Sequence, residues 1–371
     1  MRRNDITSES KLAPVIEKIL FDARLYPSAD NTQSFWFSTA ASDQVSIHRD
    51  EAASSHPLDL DGASSWITLG HLLESIRLEA SVVNFEIETT LHTVKDGSYD
   101  SAPKVATLNF KPNASEPTER DSMLQRCLRD RTTDRRGFSQ KLLSSSEVNT
   151  LQTLVQLPVG LKIWAGVPHC FKDYALKLES ALWSWTTFGQ ATLRWVQLSR
   201  NVEVGLNPRN LGISRLFLPS TLLMRYSSYF YRLVVRFGGT RLNRQILKSQ
   251  LDHSAWLGVY TLPAASPENF VELGRSNLRV WTWLCGNGFG FQPLTASTLP
   301  GFHISTDPLP KSWPDSVVAV VSLRAGAFGS LIENSDDVIW GFRSGGATPL
   351  PMKMRTGRKK QIYVNRFDFR P

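Results

Sequence analysis

The stretch 129–138 holds the side chains best suited to binding chemistry. Four arginines and two threonines fall within eight residues there, at a predicted junction between two helices. Forked guanidinium donors and hydroxyl donors can together hold a phosphate, which needs several donors at once. The alternative is a solvated turn in which Asp130 and Asp134 neutralise the neighbouring arginines, and composition alone favours that alternative.

The polar loop 27–33, Pro-Ser-Ala-Asp-Asn-Thr-Gln, is a second candidate. Its short hydroxyl, amide and carboxylate side chains can donate to and accept from the edge of a planar heterocycle. The same residue types are equally expected as helix caps and turn formers. The loop taken alone therefore does not distinguish a site from a turn.

Other common chemistries find no support in the sequence. The seven histidines are scattered without the four-residue spacing of a helical metal site, so we predict no metal, and we interpret His71 as a packing residue. Three cysteines lie tens of residues apart, which excludes a disulfide scaffold. No Gly-x-Ser-x-Gly motif is present, and Ser254 has no recognisable base beside it.

The glycines at 286, 288 and 290 follow the end of a periodic apolar run. A dinucleotide-binding fingerprint would instead open a helix directly after a strand. We therefore predict that these glycines form a helix C-cap and a tight turn.

Hydrophobic periodicity indicates the elements that must position the candidate residues. In the first part of the chain, an α+β unit is predicted from helices at 14–24 and 64–83 and strands at 35–37, 45–47, 85–91 and 104–110. Residues 111–120, with two prolines, are interpreted as a linker.

A second unit is predicted to repeat this plan. Ser144 and Glu147 have capping-box spacing and open a helix, and residues 315–323, rich in valine, suggest a covered central strand. The other predicted elements are helices at 122–128, 171–198 and 267–286 and strands at 161–165 and 255–261. Identity between the two halves is too low to demonstrate a duplication by inspection.

The segment 207–250 is rich in leucine, phenylalanine and tyrosine with interspersed arginines. A buried or half-buried helical insertion is the favoured interpretation, ahead of a helix on a membrane surface. A lid over a ligand is the third possibility.

In this order and spacing, the two candidate stretches resemble the nitroreductase family of flavin mononucleotide (FMN) enzymes. The resemblance is to its long, internally duplicated branch, typified by mycobacterial dormancy-associated nitroreductase-like proteins. The family loop runs Pro-Ser-x-x-Asn-x-Gln-Pro-Trp-x-Phe, and Ser34 and Phe35 depart from its Pro-Trp. The matching positions are Pro27, Ser28, Asn31, Gln33 and Phe37.

The family's phosphate-binding stretch, Arg-x-Ser/Thr-x-Arg followed closely by Phe, is similar to Arg131, Thr133, Arg135 and Phe138. Residues 273–294 are similar to the long helix and following turn of that fold. The resemblance spans about residues 12–325.

The resemblance implies an α+β, nitroreductase-like fold that binds FMN. Arg131, Thr133, Arg135 and Arg136 would hold the phosphate, and Ser28 and Asn31 would border the ring, with Gln33 in the same loop. In the family each flavin lies between two subunits. Here residues 1–118 keep the loop and residues 119–371 keep the arginines, which implies a single-chain pseudo-dimer with a lid-like insertion at about 200–250.

The implied activity is transfer of hydride or electrons through FMN, between NAD(P)H or an organic substrate and a small-molecule acceptor. No catalytic residue is identified, because the reactive atom would belong to the cofactor. Flavin sequestration with little or no turnover is the alternative function, and a specialised dehydrogenase acting in a biosynthetic pathway is a third possibility. The protein would be a monomeric pseudo-dimer or a higher oligomer.

Composition sets the outer limits. The chain has 371 residues, 41% of them hydrophobic, and a formal net charge of +8. Basic residues concentrate at 126–136 and 353–360 without interleaved aromatics, so we do not expect nucleic-acid binding. The start of the chain lacks an apolar signal-peptide core and no long apolar run follows, so a cytoplasmic protein without a membrane span is expected.

Overall fold

The computed structural model describes residues 12–93, 103–197, 202–211, 213, 215–300, 310–329, 332 and 337–351. The first part of the chain forms a four-stranded antiparallel sheet of order β1-β2-β4-β3. Its elements are α1 (Pro14–Ala23), β1 (Phe35–Ala41), β2 (Gln44–Arg49), α2 (Glu51–Ser54), α3 (Ala63–Ser81), β3 (Phe85–Leu91), β4 (Lys104–Pro112) and α4 (Glu119–Cys127).

The second part forms another antiparallel sheet, of order β5-β6-β8-β7. Up to β6 its elements are α5 (Ser145–Leu154), β5 (Gly160–Ala165), α6 (His169–Ser184), α7 (Thr186–Leu193), α8 (Leu218–Tyr226), α9 (Ser228–Val234), α10 (Thr240–Asp252) and β6 (Trp256–Leu262). Then follow α11 (Pro267–Gly286), β7 (Phe289–Pro293), α12 (Thr295–Thr298), α13 (Asp315–Val321), α14 (Arg324–Phe328) and β8 (Asp337–Gly346).

Sequence patterns locate most of these elements. The proline in the first turn of α1 opens that helix as predicted, and the capping box of α5 is present in full between Ser144 and Glu147. α11 ends at Gly286, and Gly288 has a φ of +77°, so the predicted C-cap and turn are confirmed. The predicted helix over 171–198 is interrupted at Trp185, which separates α6 from α7.

The strand predicted over 315–323 is wrong, because this valine run forms α13. Val317 and Val321 are fully buried at four-residue spacing, whereas Ala319 between them is exposed. Burial on one side of a helix is enough for such a run, and Pro314 and Asp315 suit a helix start. The strand that this part of the chain supplies is β8.

The two sheets have matching strand orders and are joined by the long helices α3 and α11. A Cβ added at Gly70 would lie 2.1 Å from the carbonyl oxygen of Val271, and one at Gly274 would lie 2.1 Å from that of Ile67. This reciprocal contact requires glycine at both positions. The helices therefore cross backbone to backbone, and one hydrophobic core contains side chains from both sheets.

A network of ionised side chains also connects the long helices. Glu74 of α3 is almost fully buried and lies 2.7 Å from Arg77, which reaches Asp121 of α4 at 2.8 Å. Arg279 of α11 approaches Glu74 at 3.9 Å and pairs with Glu272 at 2.9 Å. Each of these charged groups is paired with one of opposite sign, which is how buried carboxylates and guanidinium groups are tolerated.

The helices α8 to α10 confirm the prediction that residues 207–250 contain helical structure. They belong to a longer helical connection between β5 and β6, which begins with α6 at His169. The division of the chain near residue 118 stays a prediction. No helix in the described ranges combines the length and apolarity needed to cross a bilayer.

Candidate functional site

A cavity of about 460 Å³ contains both stretches singled out in the sequence. Its lining includes most of the loop 27–34 and the stretch 128–135, together with residues of α3, α6, α7 and α11. This volume is in the usual range for small-molecule sites. Two regions about a hundred residues apart in sequence thus meet at one wall.

The seven predicted site residues differ in whether they line the cavity. Ser28, Asn31, Arg131, Thr133 and Arg135 line the cavity, whereas Gln33 and Arg136 do not. The structure therefore brings five of the seven together.

The loop 28–33 has an unusual backbone. Asp30, Asn31 and Gln33 have φ values of 47°, 55° and 49°. Such left-handed conformations are uncommon outside glycine and persist only where surrounding contacts fix them. One of these contacts is the hydroxyl of Ser28, which accepts a 3.0 Å hydrogen bond from the backbone N–H of Gln33.

The amides of Asn31 and Gln33 bind protein backbone. Asn31 Nδ2 donates to the carbonyl oxygen of Gly205 at 3.1 Å, and Gln33 Nε2 donates to that of Glu203 at 2.6 Å. The N–H of Gly205 in turn donates to the carbonyl of Asn31 at 3.0 Å. The loop therefore holds the segment 203–205, directly before the cavity-lining Leu206, a role that the sequence did not predict.

Arg131 is buried, with 6% of its surface exposed, and reaches across to the first part of the chain. Its Nη2 donates to the carbonyl of Leu25 at 2.7 Å, and its guanidinium lies 4.6 Å from the ring centroid of Trp281. This arginine is held rigidly at the cavity wall by both contacts.

Arg135 differs from Arg131 because its guanidinium has no hydrogen bond or ion pair with any residue in the described ranges. Burial lowers its pKa, and the nearby Asp30 and Asp134 carboxylates oppose that shift. A desolvated cation at a cavity wall attracts an anion. Arg135 is thus suited to bind an anion in the cavity.

The predicted phosphate role of Arg136 disagrees with its position. Its Nη2 lies 2.6 Å from Oδ2 of Asp134 and 2.5 Å from the carbonyl oxygen of Thr348, away from the cavity lining. Asp134 therefore neutralises Arg136, as the solvated-turn interpretation anticipated for this part of the cluster, while Arg131 and Arg135 turn inward.

Arg343 of β8 supports the backbone of the arginine stretch, and the sequence analysis did not identify it. It is fully buried, and its guanidinium donates to the carbonyl of Arg136 at 2.7 Å, the side-chain oxygen of Gln292 at 2.6 Å and the carbonyl of Gln250 at 3.0 Å. It also lies over the ring of Phe138 at 4.2 Å. Burial lowers its pKa to about 9.

We expect Arg343→Met to lower the free energy of unfolding by about 1–3 kcal/mol, because buried oxygens lose their donors. Arg343→Lys should recover only part of this loss, since one ammonium cannot replace a forked guanidinium. Chemical denaturation of both variants measures the effect. Arg126→Met, the same change at an exposed position of α4, serves as the control. Equal stabilities for the Arg343 and Arg126 variants would contradict the supporting role.

Aromatic side chains form much of the remaining wall. Those that line the cavity are Trp183, Phe188, Trp195, Trp281 and Trp340. Trp281 stacks on Phe291 with centroids 4.4 Å apart. Trp283 is buried in the core, whereas Trp183, Trp195 and Trp281 face the cavity.

The histidines near the cavity are neutral at physiological pH. His71 is buried between Pro27 and Asn277, with its Nδ1 3.1 Å from the carbonyl of Pro27 and its Nε2 2.8 Å from Nδ2 of Asn277. Burial lowers its pKa to about 3 and that of His56 to about 4. His71 is thus more than a packing residue, because it links α3, α11 and the candidate loop.

Three carboxyl groups at the cavity have raised pKa values, those of Asp30, Asp59 and Glu179. Burial raises the pKa of Asp30 to about 6, partly offset by Arg135 and Arg194, and that of Glu179 to about 7. Glu179 accepts a 2.8 Å hydrogen bond from Nε1 of Trp183. Among the described residues no group of three or more His, Cys, Asp or Glu side chains could hold a metal ion.

Glu179→Gln tests this shift. A raised carboxyl pKa means that the folded state binds the proton more tightly than the unfolded state, so stability falls as pH rises from the ordinary value toward 7. We expect the variant to be more stable than the parent by about 1–3 kcal/mol at about pH 8 and nearly equal at about pH 4.5. Denaturation at both pH values, with Glu17→Gln on the exposed side of α1 as control, measures it; a pH-independent difference contradicts it.

Comparison with known proteins adds a weak structural likeness. No family model and no curated protein matches the chain. It is similar to the FMN and NADPH-dependent nitroreductase NfnB from Sphigopyxis sp. strain HMH, with 12% identity, a TM-score of 0.29 and coverage of 60% of this chain and 88% of that chain.

Two further solved structures give similar values. NfnB from Mycobacterium smegmatis, in complex with NADPH, has 13% identity and a TM-score of 0.29, covering 61% of this chain and 87% of that one. A putative nitroreductase from Anabaena variabilis has 9% identity and a TM-score of 0.30, covering 82% and 69%. The fold described above, with helices and two four-stranded sheets, is taken from the structure of this chain and does not depend on these likenesses.

Proposed function

We propose that the protein is an FMN-dependent oxidoreductase of the nitroreductase type. The observation that carries the proposal is the cavity that joins the loop containing Ser28 and Asn31 to the stretch containing Arg131, Thr133 and Arg135. These are the two stretches that the sequence resemblance pairs with one flavin. The match of both stretches to a single cavity is specific, because each lies in a different part of the chain.

The residues at the cavity fit the chemistry of FMN. Arg135 supplies a cation without a partner among the described residues, suited to the phosphate, and Arg131 and Thr133 lie beside it. Oδ1 of Asn210 is a buried acceptor at the same wall without a hydrogen-bond partner in the described part of the chain, while its Nδ2 donates to the carbonyl of Thr133 at 3.3 Å. Indole and phenyl rings offer apolar surface to a planar ring system.

The pseudo-dimer interpretation belongs to this proposal. Matching strand orders, the reciprocal Gly70 and Gly274 contact and the shared core support two related halves fused in one chain. In that arrangement one cavity keeps the loop of the first half and the arginines of the second. One flavin per chain is the expected stoichiometry.

When bound, FMN would supply hydride or electron transfer, so no protein nucleophile is required. The chain's own residues bind and orient. Arg131 and Arg135 neutralise a phosphate, the helices α6 and α7 exclude water from one side, and the raised pKa of Glu179 leaves a protonated carboxyl available at the wall near neutral pH. NAD(P)H as reductant and a small organic acceptor complete the proposed reaction.

Flavin sequestration is the second candidate, and the cover over the cavity favours it. The segment 203–205 is bound to Asn31 and Gln33, and the residues that follow it line the cavity, namely Leu206, Asn207, Asn210 and Leu211. The predicted lid over 207–250 contributes only this first part, since α8 to α10 do not line the cavity. A cover fixed by hydrogen bonds would slow exchange of substrate.

Reconstitution with FMN tests the proposal. The purified chain should take up about one FMN, with the visible absorption of a bound flavin retained after desalting. NAD(P)H consumption with a quinone or nitroaromatic acceptor then distinguishes turnover from sequestration. A protein that stays colourless after incubation with FMN overturns the flavin assignment, and a yellow protein without turnover selects sequestration.

A further inference from the structure

The outer surface of α8, α9 and α10 is unusually apolar for an exposed region. Nine of the fourteen large hydrophobic side chains that are exposed among the described residues lie between 216 and 246. They are Leu216, Phe217, Leu223, Tyr226, Tyr229, Leu233, Phe237, Leu242 and Ile246. We call this set the outer patch. Exposed apolar groups concentrated in this way mark an interaction surface.

The inner side of the same helices is already occupied. Tyr231 is fully buried, and its hydroxyl donates to the carbonyl of Trp183 at 2.7 Å. Gln190 of α7 donates to the carbonyl of Met224 at 3.1 Å, and Leu247 and Leu251 of α10 are buried in the second hydrophobic cluster, with α6. The helices are therefore docked on the protein by one face, and the outer patch lies on the opposite one.

The charge of this region has one sign. Residues 204–251 contain eight Lys and Arg and no Asp or Glu, so the segment carries a charge equal to the whole net charge of the chain, +8. Arg232, Arg236, Arg241 and Arg244 are exposed, and none has an ion pair with a residue that the structure describes. Lys248 forms an ion pair with Asp252 at 2.5 Å.

Basic and apolar side chains alternate along the exposed surface. Arg232 and Arg236 are four residues apart on the run formed by α9 and the following turn, directly beside Leu233 and Phe237. A glycine turn with a φ of 103° at Gly238 then redirects the chain into α10. The exposed residues of these short helices are thus mainly basic and apolar, the composition of helices that lie in a membrane interface.

We propose that the outer patch docks the protein on an anionic lipid surface. Guanidinium groups would pair with lipid phosphates while the exposed rings and leucines enter the boundary between headgroups and acyl chains. Docking of a second copy through the same patch is disfavoured, because an isologous contact places the two positive segments against each other. A nucleic-acid surface would leave the exposed leucines and isoleucine without an apolar partner.

Vesicle flotation of the full-length protein tests the proposal. Vesicles of phosphatidylcholine with roughly one third phosphatidylserine should bind the protein, and pure phosphatidylcholine vesicles should bind it far more weakly. Arg232→Gln with Arg236→Gln should weaken binding by roughly 30-fold, at about 1 kcal/mol per basic residue. Tyr229→Ser with Phe237→Ser should weaken vesicle binding by at least tenfold and leave its dependence on salt concentration unchanged.

Arg120→Gln with Arg126→Gln, the same charge change on exposed positions of α4, is the matched control and should bind as the parent does. Equal binding to both vesicle types, or equal weakening by the control pair, overturns the proposal. So does a stable dimer in light scattering that Phe237→Ser dissociates, or oligonucleotide binding without vesicle binding. None of these outcomes depends on the flavin.

Discussion

Replacing Arg131 and Arg135 together by alanine is expected to weaken FMN binding by roughly 10²- to 10⁴-fold, since each charged hydrogen bond contributes about 1.5–3 kcal/mol. Arg135→Met alone should weaken binding by about 10- to 100-fold with little loss of stability, because its guanidinium makes no hydrogen bond or ion pair in the described ranges and acts on Asp30 only through its charge. Fluorescence titration with FMN measures both affinities.

The two arginines separate binding from folding. Arg131 also donates to Leu25 and covers Trp281, so its removal is expected to lower stability as well, whereas removal of Arg135 relieves a desolvated charge. Arg126→Met controls for the lost charge, since Arg126 is exposed on α4. An FMN affinity that Arg135→Met leaves unchanged would contradict the phosphate assignment.

Gly70→Ala should cost at least about 3 kcal/mol in the free energy of unfolding, because the added methyl group would meet the backbone of α11 rather than a movable side chain. Its Cβ would lie 2.1 Å from the carbonyl oxygen of Val271, and a shift of α3 would disturb the core between the two sheets. Gly274→Ala should have the same effect through Ile67. Chemical denaturation measures both variants.

Gly326→Ala is the matched control, since a Cβ at that helical position meets nothing within 4 Å. It should be neutral or stabilising by up to about 1 kcal/mol. Similar stabilities for the Gly70 and Gly326 variants would show that α3 and α11 do not depend on backbone contact.

Local patterns predicted those elements whose signals are local. Apolar residues recur at helical spacing in α3 and alternate with polar residues in β3. The Ser144 capping box lies within four residues. The strand prediction for the valine run of α13 was wrong, because a β-branched sequence does not show whether a position in a sheet is open to it. In the folded chain the central place between β6 and β7 is filled by β8, which follows α13 in the sequence.

The candidate site was predicted in part for a similar reason. Arg131 and Arg135 lie in a recognisable spacing, but the spacing does not show that Asp134 captures Arg136 while Arg135 stays unpaired by the described residues. Arg343 gave no signal at all, since its acceptors, Gln250, Gln292 and the carbonyl of Arg136, are brought together only by the fold. Side-chain partners distant in sequence leave no local pattern.

The common core that contains side chains from both sheets has a consequence for truncation. If the chain were divided near residue 118, each fragment would expose one apolar helix, α3 or α11, to water. The helix would lack the partner that packs against its glycine, Gly70 or Gly274. Such pieces are expected to aggregate when expressed alone, and to regain solubility only when produced together. We therefore expect each half to depend on the other for its solubility.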